Sequence, residues 1–273
     1  MPCSAEICKN FCPVSDAAPQ ACSVRLQSVV KKFGDGPAVL QDINLDAAAR
    51  DFVAIIRPSG CGKSTSLRML AGLVTQNSGQ IEIDGSIPGR DSPELSYVFQ
   101  EPTLLAWQRV AENVELPLIL RGVPSDQRAE IVQRCLRQVR LGDRADAFPR
   151  QLSGGQQMRV SIARALALDP RLLLLDEPFG ALDEMTRNHL NEELLSLREE
   201  ADWTAFFVTH SVAEAVFLAN RVIIMSANPG RITHEVAIDI PYPRTPATRE
   251  ESSFQHLVAT VSGLLRSVEE DAA

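Results

Sequence analysis

The sequence of 273 residues lacks long apolar runs and has no excess of basic residues. No stretch approaches the roughly 18 consecutive apolar residues that a membrane-spanning helix needs, so we expect any membrane role to depend on a partner. The net charge is −8 and the pI is about 5.1, whereas general nucleic-acid binding needs a basic face. A hydrophobic fraction of 45% and a charged fraction of 23% are typical of a soluble globular protein. The length of 273 residues is compatible with one large α/β domain or two small ones.

Cysteine is scarce beyond the first part of the chain. Four of the six cysteines precede residue 23, at Cys3, Cys8, Cys12 and Cys22. Their spacing matches no zinc or iron–sulfur pattern, and the segment lacks the basic start and apolar stretch of a signal peptide. We therefore expect residues 1–22 to be a disordered tail or an over-extended start site rather than a metal site. Cys61 and Cys135 fall inside the predicted fold, and nothing indicates an exported disulfide protein.

The central feature of the chain is a glycine-rich turn between a predicted strand and a predicted helix. Residues 52–56 are apolar and rich in β-branched side chains, which indicates a buried strand, and Leu67, Leu70 and Ala71 recur at helical spacing. The turn between them consists of Arg57, Pro58, Ser59, Gly60, Cys61, Gly62, Lys63, Ser64 and Thr65. A strand, a turn ending in Gly-Lys-Ser and a helix together predict a phosphate-binding loop.

This loop suits phosphate because its glycines let successive backbone N–H groups converge and the helix N-terminus adds partial positive charge. We expect Lys63 to reach the β- and γ-phosphates and the Ser64 hydroxyl to bind Mg²⁺. Arg57 departs from the motif, which opens with glycine. Pro58 pushes Arg57 toward extended geometry, so the backbone can accept a residue other than glycine there.

Two acidic residues follow an apolar run later in the chain. Leu172, Leu173, Leu174 and Leu175 predict a central parallel strand buried on both faces, and the strand ends at Asp176 and Glu177. Two adjacent carboxylates at the end of a buried strand are costly unless they hold a cation or take part in chemistry. After a phosphate loop, they are interpreted as a metal-orienting Asp176 followed by the general base Glu177.

Three further features can be assigned a function only in combination with these motifs. Ser153 and Gln156 of Leu-Ser-Gly-Gly-Gln have the spacing of a capping box before a helix predicted over about residues 157–167. His210 follows a predicted strand at 205–209, at the sheet edge where ligands of open α/β sheets bind. Phe33 precedes the Gly34–Pro37 turn, where it is either an aromatic residue that ends a hairpin or a platform for adenine.

The remaining segments complete an α/β pattern. Residues 23–46 alternate as two strands, residues 101–150 have the character of a helical insertion, and residues 236–240 predict a further strand. Ser211 and Glu214 have the spacing of a second capping box. The last helix carries an apolar stripe that we expect to pack on the domain: Phe254, Leu257, Val258, Val261, Leu264, Leu265 and Val268.

Taken together, these motifs resemble those of the ATP-binding cassette (ABC) ATPases over about residues 23–240. The order is that of the family: phosphate loop, Gln100, Leu-Ser-Gly-Gly-Gln, Asp176-Glu177, Ala181-Leu182-Asp183 and His210. The resemblance implies a P-loop NTPase fold of the RecA-like type, with a mostly parallel α/β core, an N-terminal antiparallel β subdomain and a helical insertion. It implies a tail at 1–22, a cassette at 23–240 with a helical subdomain at about 101–165, and a C-terminal turn and amphipathic helix at 241–273.

The resemblance also gives roles to matching positions. It implies that Phe33 stacks on adenine, that Gln100 contacts Mg²⁺ and the attacking water, and that Glu177 polarises this water. His210 is expected to hold the γ-phosphate. The resemblance implies ATP and Mg²⁺ as cofactors. The residues expected to bind the metal are Ser64, Gln100 and Asp176. The nucleotide of a second subunit is expected to meet Ser153, Gly154, Gly155 and Gln156, while Asp183 crosses the interface between the subunits.

The implied partners are a second copy in a nucleotide-sandwich dimer, a membrane permease that docks on the helical insertion and, indirectly, a solute-binding protein. The implied location is peripheral, on the cytoplasmic face of the inner membrane. The segments from Gln100 to Trp107 and from Ser226 to Ile232 resemble the nitrate, sulfonate and taurine importer branch. Arg57 and Arg50 replace glycines of the family pattern, and Ser66 replaces leucine.

Two alternatives remain. The chain could be a soluble cassette protein that acts on nucleic acid or the ribosome, although such proteins usually carry paired cassettes, a coiled-coil linker or a basic surface. It could also be an importer-type cassette made inactive by Arg57.

Overall fold

Nine strands form two sheets within residues 20–56, 65–89, 95–200 and 202–271, the part of the chain that this computed structural model describes. In chain order the strands are β1 (Val24–Lys32), β2 (Ala38–Ala47), β3 (Phe52–Ile56), β4 (Ser78–Ile83), β5 (Leu95–Val98), β6 (Leu172–Asp176), β7 (Thr204–Thr209), β8 (Arg221–Met225) and β9 (Ile232–Ala237). The helices are α1 (Thr65–Leu70), α2 (Val110–Leu120), α3 (Ser125–Gln138), α4 (Gly154–Leu166), α5 (Glu184–Glu200), α6 (Val212–Leu218) and α7 (Ser252–Glu270).

The larger sheet has the order β5-β6-β7-β3-β8-β9. Its first five strands run parallel, and β9 pairs antiparallel with β8 at the edge. Every residue of β3, β6 and β7 is buried, as expected for parallel strands covered on both faces. The predicted central strand at Leu172–Asp176 is therefore confirmed.

Alternate residues of the central strands face two different hydrophobic layers. Val53, Leu174 and Val208 pack with the smaller sheet and α1. Ala54, Leu175 and Phe207 point the other way, into a core formed with the remaining helices. Since side chains alternate along a strand, one continuous apolar run fills both layers.

The smaller sheet has the order β2-β1-β4, and both of its strand pairs are antiparallel. This confirms the predicted N-terminal antiparallel β subdomain. Register shifts interrupt both pairs around residues 26–31, where Ser28 has a positive φ of 45°. Such irregularities bend a strand, and here the bent sheet covers one face of the larger sheet.

Helices α2, α3 and α4 lie between β5 and β6 in the chain and pack against one another. The predicted stripe on α3 is buried at Val132, Cys135 and Leu136. Helix α7 likewise packs on the domain through Phe254, Val261 and Val268, as predicted. The predicted domain limits, including a helical subdomain at about 101–165, remain predictions. No helix in the described ranges is long and apolar enough to cross a bilayer.

The end of the predicted tail needs correction. Cys22 is fully buried in the core beside the smaller sheet. Its thiol donates a hydrogen bond to the Arg171 carbonyl oxygen at 3.5 Å, and its own carbonyl oxygen accepts from Thr204 Oγ1 at 2.6 Å. Burial raises the pKa of the Cys22 thiol to about 11. Packing against the start of β7 therefore orders the chain before residue 23, whereas residues 1–19 lie outside the described part.

Two element boundaries also differ from the predictions. The last strand of the sheet is Ile232–Ala237 rather than residues 236–240, because Ala237 pairs with Arg221, the first residue of β8. Beyond that point the Ile238 N–H donates to the Asn220 carbonyl oxygen at 2.9 Å, outside the strand ladder. Helix α4 begins at Gly154, three residues before the predicted start, since Ser153 is its N-cap.

Arg50 occupies a backbone position that suits glycine. Its φ is 70°, in the left-handed region that few residues other than glycine adopt. The Arg50 N–H donates to Thr204 Oγ1 at 2.9 Å, and its guanidinium pairs with Asp202 at 3.0 Å on the surface. The backbone hydrogen bond holds this conformation despite the side chain.

Ser66 lies in an apolar environment. It is 5% exposed, and its hydroxyl has no hydrogen-bond partner among the residues that the structure describes. The side chain lines a small cavity together with apolar residues of both sheets, including Leu26, Ile55 and Phe206. The family that this sequence resembles usually has leucine at this position, and leucine would suit the apolar environment better than a hydroxyl does.

We expect Ser66→Ala to raise the free energy of unfolding by about 1 kcal/mol, because it removes a buried, unpaired hydroxyl. Ser96→Ala is the matched control. Ser96 is equally buried but donates to the Ala165 carbonyl oxygen at 2.6 Å, so its loss should destabilise the fold by about 1 kcal/mol. Urea unfolding of both variants measures the difference, and destabilisation by Ser66→Ala would contradict the assignment.

Candidate functional site

The carboxyl ends of four neighbouring parallel strands bring most of the predicted site residues to one edge of the larger sheet. Gln100 follows β5, Asp176 ends β6, His210 follows β7, and the phosphate loop follows β3. Residues 57–64 of that loop, including Lys63 and Ser64, lie outside the described residues. Thr65 begins α1 and is buried. The strand before the loop and the helix after it agree with the predicted context.

Asp176 ends β6 with its carboxylate buried, at 6% exposure. The Tyr97 hydroxyl, from the neighbouring strand β5, donates a hydrogen bond to Asp176 Oδ2 at 2.9 Å. Oxygen ligands of this kind suit Mg²⁺, which is commonly bound through one or two carboxylates together with phosphate oxygens. The buried carboxylate at this edge therefore fits the predicted cation.

Glu177 turns the chain sharply after β6. Its φ is 46°, and its N–H donates to the Val208 carbonyl oxygen of β7 at 2.9 Å. The side chain is 7% exposed, and its Oε2 lies 3.6 Å from His210 Nδ1. A left-handed backbone is unfavourable for a residue other than glycine, and such strain is typical of functional sites.

Gly180 lies against both Glu177 and His210. A Cβ atom at Gly180 would lie 3.4 Å from both His210 Cε1 and the Glu177 carbonyl oxygen, and 3.7 Å from Glu177 Oε2. These are ordinary contact distances, so Gly180 packs directly against both members of the pair.

The second predicted capping box is only half formed. Ser211 Oγ accepts from the Glu214 N–H at 3.3 Å, as expected. The Ser211 N–H, however, donates to Thr209 Oγ1, and the Thr209 hydroxyl donates to the Glu214 carboxylate. The Thr209 hydroxyl at the end of β7 therefore lies between the Ser211 N–H and the Glu214 carboxylate, where a complete capping box would have a direct hydrogen bond.

Glu214 connects this turn to α5. It is 4% exposed, and its Oε1 lies 3.4 Å from Arg187 Nε. Burial raises the pKa of the Glu214 carboxyl, against the opposing effects of the Thr209 hydrogen bond and the Arg187 charge. The turn that carries His210 is therefore attached through Glu214 to the helix that follows Asp183.

Gln100 and Phe33 are both exposed. Phe33 follows β1, and its ring is 54% exposed with Lys31 Nζ 4.8 Å from its centroid. The ammonium group also donates to the Thr75 carbonyl oxygen at 2.7 Å. An open aromatic face beside a cation is compatible with stacking on a base, but no described contact joins Phe33 to the carboxyl edge.

The Leu-Ser-Gly-Gly-Gln segment begins α4 through the capping box predicted from sequence. Ser153 Oγ accepts from the Gln156 N–H at 3.3 Å, and Gln156 Oε1 accepts from the Ser153 N–H at 3.0 Å. Reciprocal bonding satisfies two N–H groups at this end and leaves the others of the first turn for a ligand.

Asp183 is the cap of α5 in the single chain. Its carboxylate accepts from the Thr186 N–H at 3.0 Å and from the Thr186 hydroxyl at 2.7 Å. These hydrogen bonds, first the backbone one, hold the pKa of Asp183 below its usual value. The carboxylate is therefore ionised and fixed in position at the start of the helix.

Gly155 is the point at which α4 packs against the first turn of α5. A Cβ atom there would lie 2.6 Å from Thr186 Cγ2, and one at Gly154 would lie 3.5 Å from Leu182 Cδ2. The first distance is too short for any real contact, whereas the second is an ordinary one. The close approach at Gly155 brings the first turn of α4 against the Asp183 cap.

Comparison with known proteins identifies the family to which this chain belongs. The ABC transporter family model matches residues 40–180, which include the loop, α4 and the Asp176–Gly180 turn. A putative ATP-binding protein of Brucella abortus (strain 2308) is 44% identical over 231 residues, which are 85% of this chain and 88% of that protein. The chain belongs to the ABC transporter family of ATP-binding proteins.

Two further relatives of this ABC ATPase are informative. The aliphatic sulfonates import ATP-binding protein SsuB of Bacillus cereus (strain ATCC 10987 / NRS 248) is 44% identical over 219 residues, covering 80% of this chain and 85% of that one. The solved dimer of the ATP-binding cassette MJ0796 bound to ADP and Pi is 34% identical, with a TM-score of 0.69 over 80% of this chain and 100% of that one. The predicted cassette fold and ATPase activity are confirmed.

The structure of the ABC ATPase thus gathers its predicted residues into two groups. Asp176, Glu177 and His210 lie at the carboxyl edge, and the start of α4 lies with Asp183. Sequence reasoning missed the residues that hold these groups in place, namely Tyr97, Gly180, Thr186, Thr209 and Arg187. Tyr97 and Arg187 carry no local sequence signal because their partners, Asp176 and Glu214, lie on distant elements. The other three have partners within five residues, so the spacing of Asp183 and Thr186 is a local signal that could have been used.

We expect Gly155→Ala in this ATPase to lower the free energy of unfolding by about 1–3 kcal/mol, because the new methyl group would overlap Thr186 Cγ2. Thr186 cannot rotate away without losing its hydroxyl bond to Asp183. Adding Thr186→Ser should restore stability, since it removes Cγ2 and keeps the hydroxyl. Gly154→Ala is the control and should be neutral or stabilising. Thermal unfolding measures all three, and equal behaviour of the two alanine variants would refute the contact.

Proposed function

We propose that this ABC ATPase is the energy-coupling subunit of an importer for aliphatic sulfonates or a similar small solute such as taurine or nitrate. The observation that carries the hydrolytic role is the buried Glu177 carboxylate, 3.6 Å from His210 Nδ1 and adjacent to Asp176. The sulfonate assignment is supported by the 44% identity to the Bacillus SsuB protein over 80% of this chain.

In this proposal Glu177 is the general base. Its buried carboxylate accepts a hydrogen bond from the attacking water and orients it toward the γ-phosphorus of ATP. Its unusual backbone and its bond to β7 fix the carboxylate at the strand edge. His210 lies beside the same carboxylate and holds the γ-phosphate from the next strand. Both groups are thus placed before the substrate arrives, which reduces the cost of orientation.

The nucleotide itself is held by the phosphate loop. Backbone N–H groups of the glycine-rich loop would bind the phosphates, Lys63 would contact the β- and γ-phosphates, and Phe33 would stack on the adenine ring. Ser64, Gln100 and Asp176 would hold Mg²⁺, which when bound would neutralise charge on the phosphate oxygens. The acidic end of β6 fits this role because the Asp176 carboxylate is buried and already oriented.

The second group of residues serves a second copy of the chain. The first turn of α4, with Ser153, Gly154, Gly155 and Gln156, supplies N–H groups to the γ-phosphate of the ATP bound by the partner copy. Asp183 lies against that turn and reaches the interface between the copies. Support comes from the dimer of the MJ0796 cassette, to which this chain is 34% identical.

A membrane permease and an external solute-binding protein complete the proposed importer. The ATPase then works at the cytoplasmic face of the inner membrane and docks the permease on the helices between β5 and β6. Its net charge of −8 argues against nucleic acid as the partner.

We expect Glu177→Gln to abolish ATP hydrolysis and to accumulate an ATP-bound homodimer, because glutamine keeps the size of the side chain but cannot activate water. Lys63→Ala should weaken nucleotide binding and leave monomers. Adding Ser153→Arg to Glu177→Gln should disperse the dimer, since a cation meets like partial charge at that helix end. Size-exclusion chromatography with light scattering, in MgATP and in MgADP, distinguishes these states.

Normal hydrolysis by Glu177→Gln would exclude Glu177 as the base, and a monomer at saturating ATP would exclude dimerisation of the isolated subunit. Arg57→Gly, measured in parallel, tests the alternative that Arg57 inactivates the loop. Absent ATP binding in the unmodified chain, restored by Arg57→Gly, would overturn the proposed function.

The solute is tested in cells. A strain that lacks the gene should grow on sulfate but lose growth on aliphatic sulfonates as the only sulfur source. Growth should return with the unmodified gene but not with the Glu177→Gln variant. Full growth of the deletion strain on sulfonates, with loss of growth on nitrate as the nitrogen source, would move the assignment to nitrate.

A further inference from the structure

One hydrogen bond at the carboxyl edge has no role in the scheme above. The Tyr97 hydroxyl lies 2.9 Å from Asp176 Oδ2. Tyr97 is on β5 and pairs in register with Leu174 of β6, two residues before Asp176. The strand pairing thus places Tyr97 and Asp176 on the same face of the sheet.

The direction of this hydrogen bond follows from the chemistry of its partners. An ionised carboxylate only accepts, so the hydroxyl of Tyr97 donates. A phenol has a usual pKa of about 10, so at neutral pH it carries the proton that it donates.

The phenol is also held in place. Its ring stacks on Phe99 with the centroids 4.4 Å apart and the planes 31° apart. A carboxylate by itself rotates easily, because torsions that end in a planar group have broad minima. A donor on Oδ2 restricts that rotation, so the hydrogen bond from Tyr97 limits the orientations open to the Asp176 carboxylate.

We propose that Tyr97 is a positioning residue, whose hydroxyl holds Oδ2 of Asp176 and so orients the carboxylate that would bind a divalent cation. The inference rests on the proposed function, since it takes Asp176 as the residue that holds the cation. Residues that hydrogen-bond metal ligands commonly contribute about 10–100-fold to metal affinity. Tyr97 acts through Asp176 and touches neither nucleotide nor metal.

The test compares Tyr97→Phe with the unmodified full-length chain. Phenylalanine keeps the ring that packs on Phe99 and removes only the hydroxyl. Titration calorimetry with the non-hydrolysable analogue AMP-PNP, in EDTA and in excess Mg²⁺, separates nucleotide affinity from the contribution of the metal. We expect unchanged affinity in EDTA and about tenfold weaker affinity in Mg²⁺ for Tyr97→Phe.

Hydrolysis gives a second readout. The Mg²⁺ concentration for half-maximal hydrolysis should rise about tenfold in Tyr97→Phe, and saturating Mg²⁺ should restore most of the rate. Ser96→Ala is the control, because it also removes a hydroxyl from β5, one that donates to the Ala165 carbonyl oxygen instead. Ser96→Ala should lower stability and leave the Mg²⁺ requirement unchanged.

Asp176→Asn tests whether Tyr97 acts through this carboxylate. Adding Tyr97→Phe to Asp176→Asn should weaken Mg²⁺-dependent binding no further, because the oriented carboxylate is already absent. Additive losses, or a Tyr97→Phe variant whose Mg²⁺ requirement stays within twofold of the unmodified chain, would overturn the inference. Absent hydrolysis in the unmodified chain would instead refute the proposed function, and the AMP-PNP titrations would still decide the role of Tyr97.

Discussion

The pairing of β6 with β5 and β7 is the constraint on which the rest of the site depends. Leu172–Asp176 is completely buried between these two strands, and each apolar side chain buried there contributes about 1.5–3 kcal/mol. Removing two carboxylates from water costs several kcal/mol per ion, so acidic residues at the end of such a strand need a strong scaffold and compensating partners. The scaffold is the parallel sheet, and the partners are Tyr97 for Asp176 and His210 for Glu177.

The same sheet explains why residues far apart in sequence act together. Parallel strands end at one edge, so β5, β6, β7 and β3 deliver Gln100, Asp176, His210 and the phosphate loop to neighbouring positions. The starts of α4 and α5 form a second group of site residues. Gly155 leaves room for Thr186, which allows the N-terminus of α4 to lie beside Asp183. Half of the proposed nucleotide site thus comes from strand ends and half from a helix start.

The second half is tied to the first through polar contacts that lead from the exposed Asp183 cap to the buried Glu214. Asp183 caps α5, Arg187 on the same helix lies 3.4 Å from Glu214, and Glu214 accepts from Thr209 next to His210. These contacts are short in space and span about 30 residues of sequence. They connect the segment proposed to meet the partner copy with the segment proposed to hold the γ-phosphate, in a chain whose family couples ATP binding to transport.

The sequence by itself determined the motifs, their order and the buried central strands, because strand periodicity, glycine-rich turns and a capping box such as that of Ser153 and Gln156 are local. Local patterns also explain the errors: the 236–240 prediction followed alternation, whereas β9 ends where pairing with β8 ends. Tertiary structure alone decided the burial of Cys22 and the hydrogen bond from Tyr97 to Asp176. Each of these depends on which residue of another element lies opposite, and register across strands and helices is set by packing of the whole fold.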